Sequence, residues 1–218
     1  MQLVSTIALI LLSATAAFAQ SNQTLREVKD RVIKSHNTPS VEIEFGKDFK
    51  YIGGQRFVLY EVANAEQHFF ADADKDGRVK RLYWVQFEGY LPSNTHVYDY
   101  KVTKSVNIGG LDFIADAWAR NIKANPGRVD GDGARARSFL KSKGFTLGSD
   151  EVMSQRLVHL IGDPKRDELM IIYLEDMSGH GLTAADVNKG GKSETQWPAI
   201  SDALLARAQK GMKIRQRK

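Results

Sequence analysis

The segment from Gln55 to Glu88 constrains the fold more than any other part of the chain. Three runs rich in β-branched and aromatic residues, Gln55–Val62, Glu66–Asp72 and Arg78–Glu88, are separated by two joints, Ala63-Asn64-Ala65 and Asp74-Lys75-Asp76-Gly77. Joints this short admit hairpins only, because a parallel neighbour needs a crossover of about a dozen residues or more. Asp76-Gly77 between β-rich runs is the clearest turn signal in the chain. The middle run is apolar on both sides, with Phe69 pointing one way and His68 and Phe70 the other. The third run sets Leu82 and Trp84 against Tyr83, Val85 and Phe87. A sheet apolar on both faces needs helices on both sides, or a helix layer on one and a curved-sheet cavity on the other. The expectation is one α+β domain, an antiparallel sheet made of this meander and a second hairpin, with helices packed on it; an α/β/α sandwich is its fuller form.

The rest of the chain is read against that sheet. Thr24-Leu25-Arg26-Glu27 has capping-box spacing, and Leu25, Val28 and Val32 then share a helical face, which predicts a helix ending near Asn37-Thr38-Pro39. Val41, Ile43 and Phe45 alternate with Glu42 and Glu44, as in a half-buried strand. A short strand is expected at Val97–Thr103. Leu111, Ile114, Ala115, Trp118 and Ile122 recur at spacings of three and four, which predicts a helix over Gly110–Ile122. A basic helix over Ala134–Lys143 should stop at Gly144. Val152–Ile161 and Glu168–Asp176 read as the second hairpin. Trp197, Ile200, Leu204 and Ala208 mark a C-terminal helix running into a basic tail, Lys210–Lys218.

The start of the chain concerns address. Leu3 to Leu12 is an apolar run followed by Ala17-Phe18-Ala19, an A-x-A cleavage pattern that predicts Gln20 as the mature N-terminus. The run is shorter than the roughly 20 residues a membrane span needs. The expected organisation is a signal peptide at 1–19, one α+β domain at 20–209 and a basic tail at 210–218, in a periplasmic or extracellular protein.

Composition removes several kinds of chemistry. The 218 residues include no cysteine, which excludes disulfides, thiolate metal sites and Cys nucleophiles. Lys and Arg number 31 against 26 Asp and Glu, a formal charge of +5. Much of that excess lies in Lys210–Lys218, which in an exported protein points to weak contact with an anionic surface. No nucleic-acid motif accompanies it.

Local motifs dissolve on inspection. Asp72-Ala73-Asp74-Lys75-Asp76-Gly77 fits the opening of an EF-hand loop, yet Tyr83 stands where the bidentate Glu belongs, so it reads as a charged turn. Gly191-Lys192-Ser193 resembles the tail of a P-loop whose opening glycine is Asp186. No histidine pair has metal-ligand spacing, no serine sits in a nucleophile elbow, and no cofactor is implied.

What survives is a face created by strand pairing. With Val62 opposite Glu66, Tyr60 falls opposite His68 and Val58 opposite Phe70. A two-residue turn at Asp76-Gly77 sets His68 against Val85 and Phe70 against Tyr83, and a four-residue turn sets His68 against Tyr83. Either way Tyr60, Glu66, His68, Arg81 and Tyr83 share a face with Arg56 and Phe87. An aromatic face with one histidine, one carboxylate and guanidinium groups suits a small anionic or amphipathic ligand. The expected function is therefore a non-catalytic binding module for such a ligand or for a protein partner. Two other readings compete: an envelope enzyme, hydrolase-like, using His68 or His180 with a neighbouring carboxylate, and a structural envelope component held by its charged tail.

Overall fold

A computed structural model describes residues 23–217; the expected signal peptide and its cleavage site lie outside the described residues. The chain forms β1 (Glu27–Lys29), β2 (Val32–Ser35), β3 (Val41–Phe45), β4 (Lys50–Leu59), β5 (Ala63–Ala73), β6 (Arg78–Tyr90), β7 (Ser105–Ile108) and β8 (Leu111–Asn121). Then follow α1 (Asp132–Ser142), β9 (Thr146–Leu147), β10 (Glu151–Ile161), β11 (Asp167–Asp176), α2 (Ala184–Val187), α3 (Trp197–Lys210) and β12 (Met212–Gln216). The fold is α+β and predominantly antiparallel sheet.

The described residues form two sheets. The larger runs β4-β5-β6-β11-β10-β8-β7, with β9 pairing in parallel against β6, and the smaller runs β1-β2-β3-β12. The meander and the second hairpin are thus neighbours through β6 and β11. On one face of the large sheet, Phe70, Tyr83, Val85, Leu157 and Ile171 pack with Ile43, Phe45 and Ile214 of the small sheet and with Leu204 and Ala208 of α3. On the other, Phe69, Leu82, Trp84 and Ile172 pack with Ala136 and Leu140 of α1. Helices lie on both faces, but the small sheet supplies much of the cover on the first.

The expected helix over Thr24–Asn37 is instead the β1–β2 hairpin, with Glu27 opposite Lys34 and Asp30 at φ 54°. Leu25, placed on the supposed apolar face, is 66% exposed, while Ile33 is buried. The first backbone N–H groups go to a distant carboxylate: Leu25 and Arg26 both donate to Glu66 Oε1. The helix expected over Gly110–Ile122 is β8. Leu111, Phe113 and Ala115 enter the first core and Ile114 and Trp118 the second. Burial follows strand alternation at Leu111, Phe113, Ala115 and Ala119, while Ile114 and Trp118 are half-buried on the other face; counting those two with the first set produces helical spacings by accident.

Val97–Thr103 forms no strand. Residues 91–104 run as an irregular strap along the second face, with Tyr98 buried and stacked on Tyr90 at 4.5 Å. Arg166 meets part of the strap's hydrogen-bonding demand by donating to the carbonyls of Leu91, Asn94 and His96. Nor is the basic segment a free tail over its described part. Met212 and Ile214 are buried, and β12 pairs with β3 so that Arg215 meets Glu42 and Glu44. The helix ending at Gly144 (φ 81°), the β10–β11 hairpin and the C-terminal helix form where expected.

Within the meander, β5 and β6 adopt the register of the shorter turn, with His68 opposite Val85 and Phe70 opposite Tyr83. The β4–β5 register differs from expectation. Its turn is Leu59–Val62, closed by Val62 N–H to Leu59 O at 3.0 Å, and Glu66 lies opposite Arg56 and His68 opposite Gly54. Ala63 and Ala65 had the look of a loop, but they are buried strand residues. They are small because they are packed.

Candidate functional site

The large sheet's first face reaches solvent at a cleft of about 300 Å³ beside the ends of β5 and β6, lined among others by Arg26, Arg56, Glu66, Phe87 and Tyr90. Glu66 forms its floor. Its Oε1 accepts from Leu25 N–H (3.0 Å), Arg26 N–H (2.9 Å) and His68 Nε2 (2.8 Å), and its Oε2 from Arg26 (3.1 Å). Burial alone would raise this carboxyl's pKa; the His68 hydrogen bond, the Arg26 charge and the two backbone donors outweigh it and bring it down to about 2. The site therefore holds a fixed carboxylate.

The two guanidinium groups differ. Arg26 is committed: it bonds Glu66, Ser35 Oγ and Thr38 O, and lies 4.1 Å over the Phe87 ring. Arg56, on the edge strand β4, makes one hydrogen bond, to Gln23 O at 3.2 Å, and an ion-pair contact with Glu66 at 3.8 Å. Among the described residues its guanidinium makes no further hydrogen bond, and Arg56 lines the cleft.

The five residues expected to form one site are dispersed. Glu66 is in the cleft. His68 is directly behind it, fully buried, between Glu66 and the Tyr51 hydroxyl, 2.9 Å from Nδ1. The carboxylate fixes Nε2 as the donating nitrogen. Burial, reinforced by the Glu66 charge, pushes the Tyr51 phenol up to about 12, so its hydroxyl keeps its proton at neutral pH and acts as a clamp on His68. Tyr83 shares the face but lies in the core, donating to Ala208 O at 2.7 Å. Arg81 is at the far end of the face, paired with Asp72 and Asp48. Tyr60 sits in the β4–β5 turn, its ring under the Arg128 guanidinium at 4.4 Å. Face membership was correct for Glu66, His68, Arg81 and Tyr83; distance along the strands and burial separate them.

A second cleft, of about 590 Å³, is lined by Asp72, Lys80, Arg81, Glu175, His180 and Arg207 among others. His180 Nε2 comes within 3.8 Å of Glu175 Oε2. Glu175 is already held by Arg207 at 2.7 and 2.8 Å and by the Tyr173 hydroxyl. No serine hydroxyl hydrogen-bonds to His180 among the described residues.

Sequence reasoning missed a polar network on the opposite face. Gln55, Gln67, Gln86, Glu88 and Tyr98 are linked in series by side-chain hydrogen bonds across β4, β5, β6 and the strap. Glu88 lies opposite Glu168 of β11. The partners are 80 positions apart in sequence, so only the β6–β11 pairing brings them together.

Comparisons of the chain with protein-family profiles, with curated proteins and with solved structures find no match.

Proposed function

We propose that the chain is a non-catalytic binding module whose ligand is a small amphipathic molecule carrying a carboxylate or phosphate group, seated in the cleft at Arg56. The observation behind this reading is Arg56 itself. A guanidinium tied by one hydrogen bond and lining a cleft alongside Tyr90 suits bidentate capture of an oxyanion. Tyr90, half-buried at the cleft's rim, offers apolar surface to the rest of such a ligand, while Phe87, 3% exposed beneath Arg26, only backs the wall. Glu66 contributes by fixing the floor and by repelling an anion placed too deep. The N-terminal apolar run and Ala17-Phe18-Ala19 support export, with Gln20 as the mature N-terminus; peptide mass spectrometry of the exported protein tests that part.

The test of binding is native mass spectrometry on protein purified from its own host, with Arg56→Ala in parallel. A retained small anionic molecule that Arg56→Ala loses supports the reading. The same adduct on both proteins places the ligand elsewhere.

The enzyme reading has the approach of His180 to Glu175 in its favour. Against it, Glu175 is saturated by Arg207 and Tyr173, which leaves it little freedom to orient a catalytic imidazole.

A further inference from the structure

The Arg56 cleft is lined by a second uncommitted charge, and it has the opposite sign. Asp167 opens β11 opposite Gly89 of β6, which lies opposite Asn64 of β5. Two positions on, Leu169 belongs to a cross-strand row that continues through Phe87 and Glu66 to Arg56. Strand alternation therefore puts the Asp167 and Arg56 side chains on one face of the sheet. Both residues line the cleft, and Asp167 is half-buried there. Gly89 lets the carboxylate in: Asp167 Oδ1 occupies the space a Cβ at position 89 would need, so it lies over β6. From the other side Arg56 leans toward β5, its Nε 3.8 Å from Glu66 Oε2. The backbones of β4 and β11 are three strand spacings apart, about 14 Å, and both charges lean inward across that span.

The other charged groups of the cleft are taken. Glu66 holds Arg26, His68 and two backbone amides, and Glu88 accepts from Gln86 and Tyr98. The Asp167 carboxylate makes no hydrogen bond and no ion pair among the described residues. What remains is one guanidinium and one carboxylate that do not reach each other. A simple anion on Arg56 would sit beside a like charge at Asp167, and a simple cation on Asp167 would meet the reverse. A molecule carrying both charges a few bonds apart satisfies each with a charge-assisted hydrogen bond. The cleft also offers hydrocarbon: Leu25, 66% exposed, and Tyr90 are part of its lining. Its volume of about 300 Å³ is at the lower end for ligand pockets, which favours a small molecule.

We propose that this cleft binds a free α-amino acid with an apolar side chain, its carboxylate on Arg56, its ammonium on Asp167 and its hydrocarbon against Leu25 and Tyr90. The inference rests on the Arg56 cleft being a ligand site, and it narrows the ligand from anion-bearing molecules in general to a zwitterion. Asp167 is then the residue that selects, because it separates an amino acid from the corresponding plain acid.

The test is isothermal titration calorimetry of the purified protein with two series of probes. L-Leucine is compared with 4-methylpentanoate, which lacks the ammonium, and 3-methylbutylamine, which lacks the carboxylate. L-Phenylalanine is compared with 3-phenylpropanoate and 2-phenylethylamine. At least one amino acid should bind about tenfold or more tightly than both of its analogues. Asp167→Asn should bring that amino acid down to the affinity of its deaminated analogue while leaving the analogue's own binding no weaker. Arg56→Ala should remove both. Amino acids that bind no better than the plain acids in the wild-type protein, or equally well to a folded Asp167→Asn variant, would overturn the zwitterion inference. If that binding is still lost in Arg56→Ala, the anion-binding reading of the cleft stands without it. Binding that survives Arg56→Ala overturns both, and no binding by any of the six probes overturns the inference. The comparison of probes on the wild-type protein needs no variant to fold.

Discussion

Glu66 Oε1 accepts the His68 Nε2 proton at 2.8 Å, from a residue two positions along the same strand and on the same face. The same oxygen takes the Leu25 and Arg26 amides, so a single carboxylate ties the N-terminal segment to the centre of the large sheet. It explains why this segment is not a helix, and it sets the depth of the cleft.

This carboxylate gives an acid dependence of known sign. Its folded pKa, about 2, lies below the unfolded value of 4.5. Its contribution is complete above pH 4.5 and disappears as pH falls toward 2. Glu66→Gln should flatten that part of the stability–pH curve and cost about 3–5 kcal/mol near neutrality, because Arg26 loses its charged partner in a largely buried site. Denaturant titrations at pH 7, 4 and 2.5 measure both effects.

His68→Ala belongs to the same cluster. With the ring fully buried, removal leaves Tyr51 and Glu66 each one hydrogen bond short, at about 2–4 kcal/mol. A thermal midpoint within 2 °C of wild type would show that the clamp does not bear on stability.

Trp84 is 9% exposed and packs in the second core with Ala136 and Leu140 of α1. Trp84→Ala should destabilise by about 3–5 kcal/mol. A chemical-denaturation loss below about 1 kcal/mol would contradict the burial.

The β4–β5 turn places Tyr60 at φ 50° and Glu61 at φ 62°, left-handed backbone usually reserved for Gly or Asn. Glu61→Gly should raise stability by a few tenths to about 1 kcal/mol, strain relief being partly offset by the looser unfolded chain. A destabilised variant would indicate that the Glu61 side chain matters more than its backbone.

Sequence legibility followed the range of the interactions. The β5–β6 register, the β10–β11 hairpin, α1 and α3 are local, and turn chemistry plus apolar period identified them. β8 reads as a helix because the apolar Ile114 and Trp118 on its half-exposed face obscure the alternation of Leu111, Phe113, Ala115 and Ala119, and β12 reads as a tail because its basic residues hide Met212 and Ile214 between charges that pair with β3. Glu66 and His68 were legible as sharing a face, since strand alternation fixes sides. The separation of Tyr83 and Arg81 from Glu66 was not, since that depends on which end of the sheet stays open. The Glu88–Glu168 pair required a strand contact no local pattern encodes.

β12 offers a clear contrast. Ile214→Asp puts a charge among Ile43, Phe45 and Phe70 and should cost about 3 kcal/mol or more. If residues beyond Lys210 were a solvated tail, the thermal midpoint would not move. Differential scanning calorimetry separates the two.

The binding claim is tested most directly by a crystallographic fragment screen of the protein from Gln20 onward, using small carboxylates and phosphates alongside neutral and cationic fragments. Acidic fragments should collect in the cleft with an oxyanion within 3.2 Å of the Arg56 guanidinium, and should vanish from it in Arg56→Ala crystals. Acidic fragments that avoid this cleft, or that occupy it equally in the Arg56→Ala protein, would contradict the account.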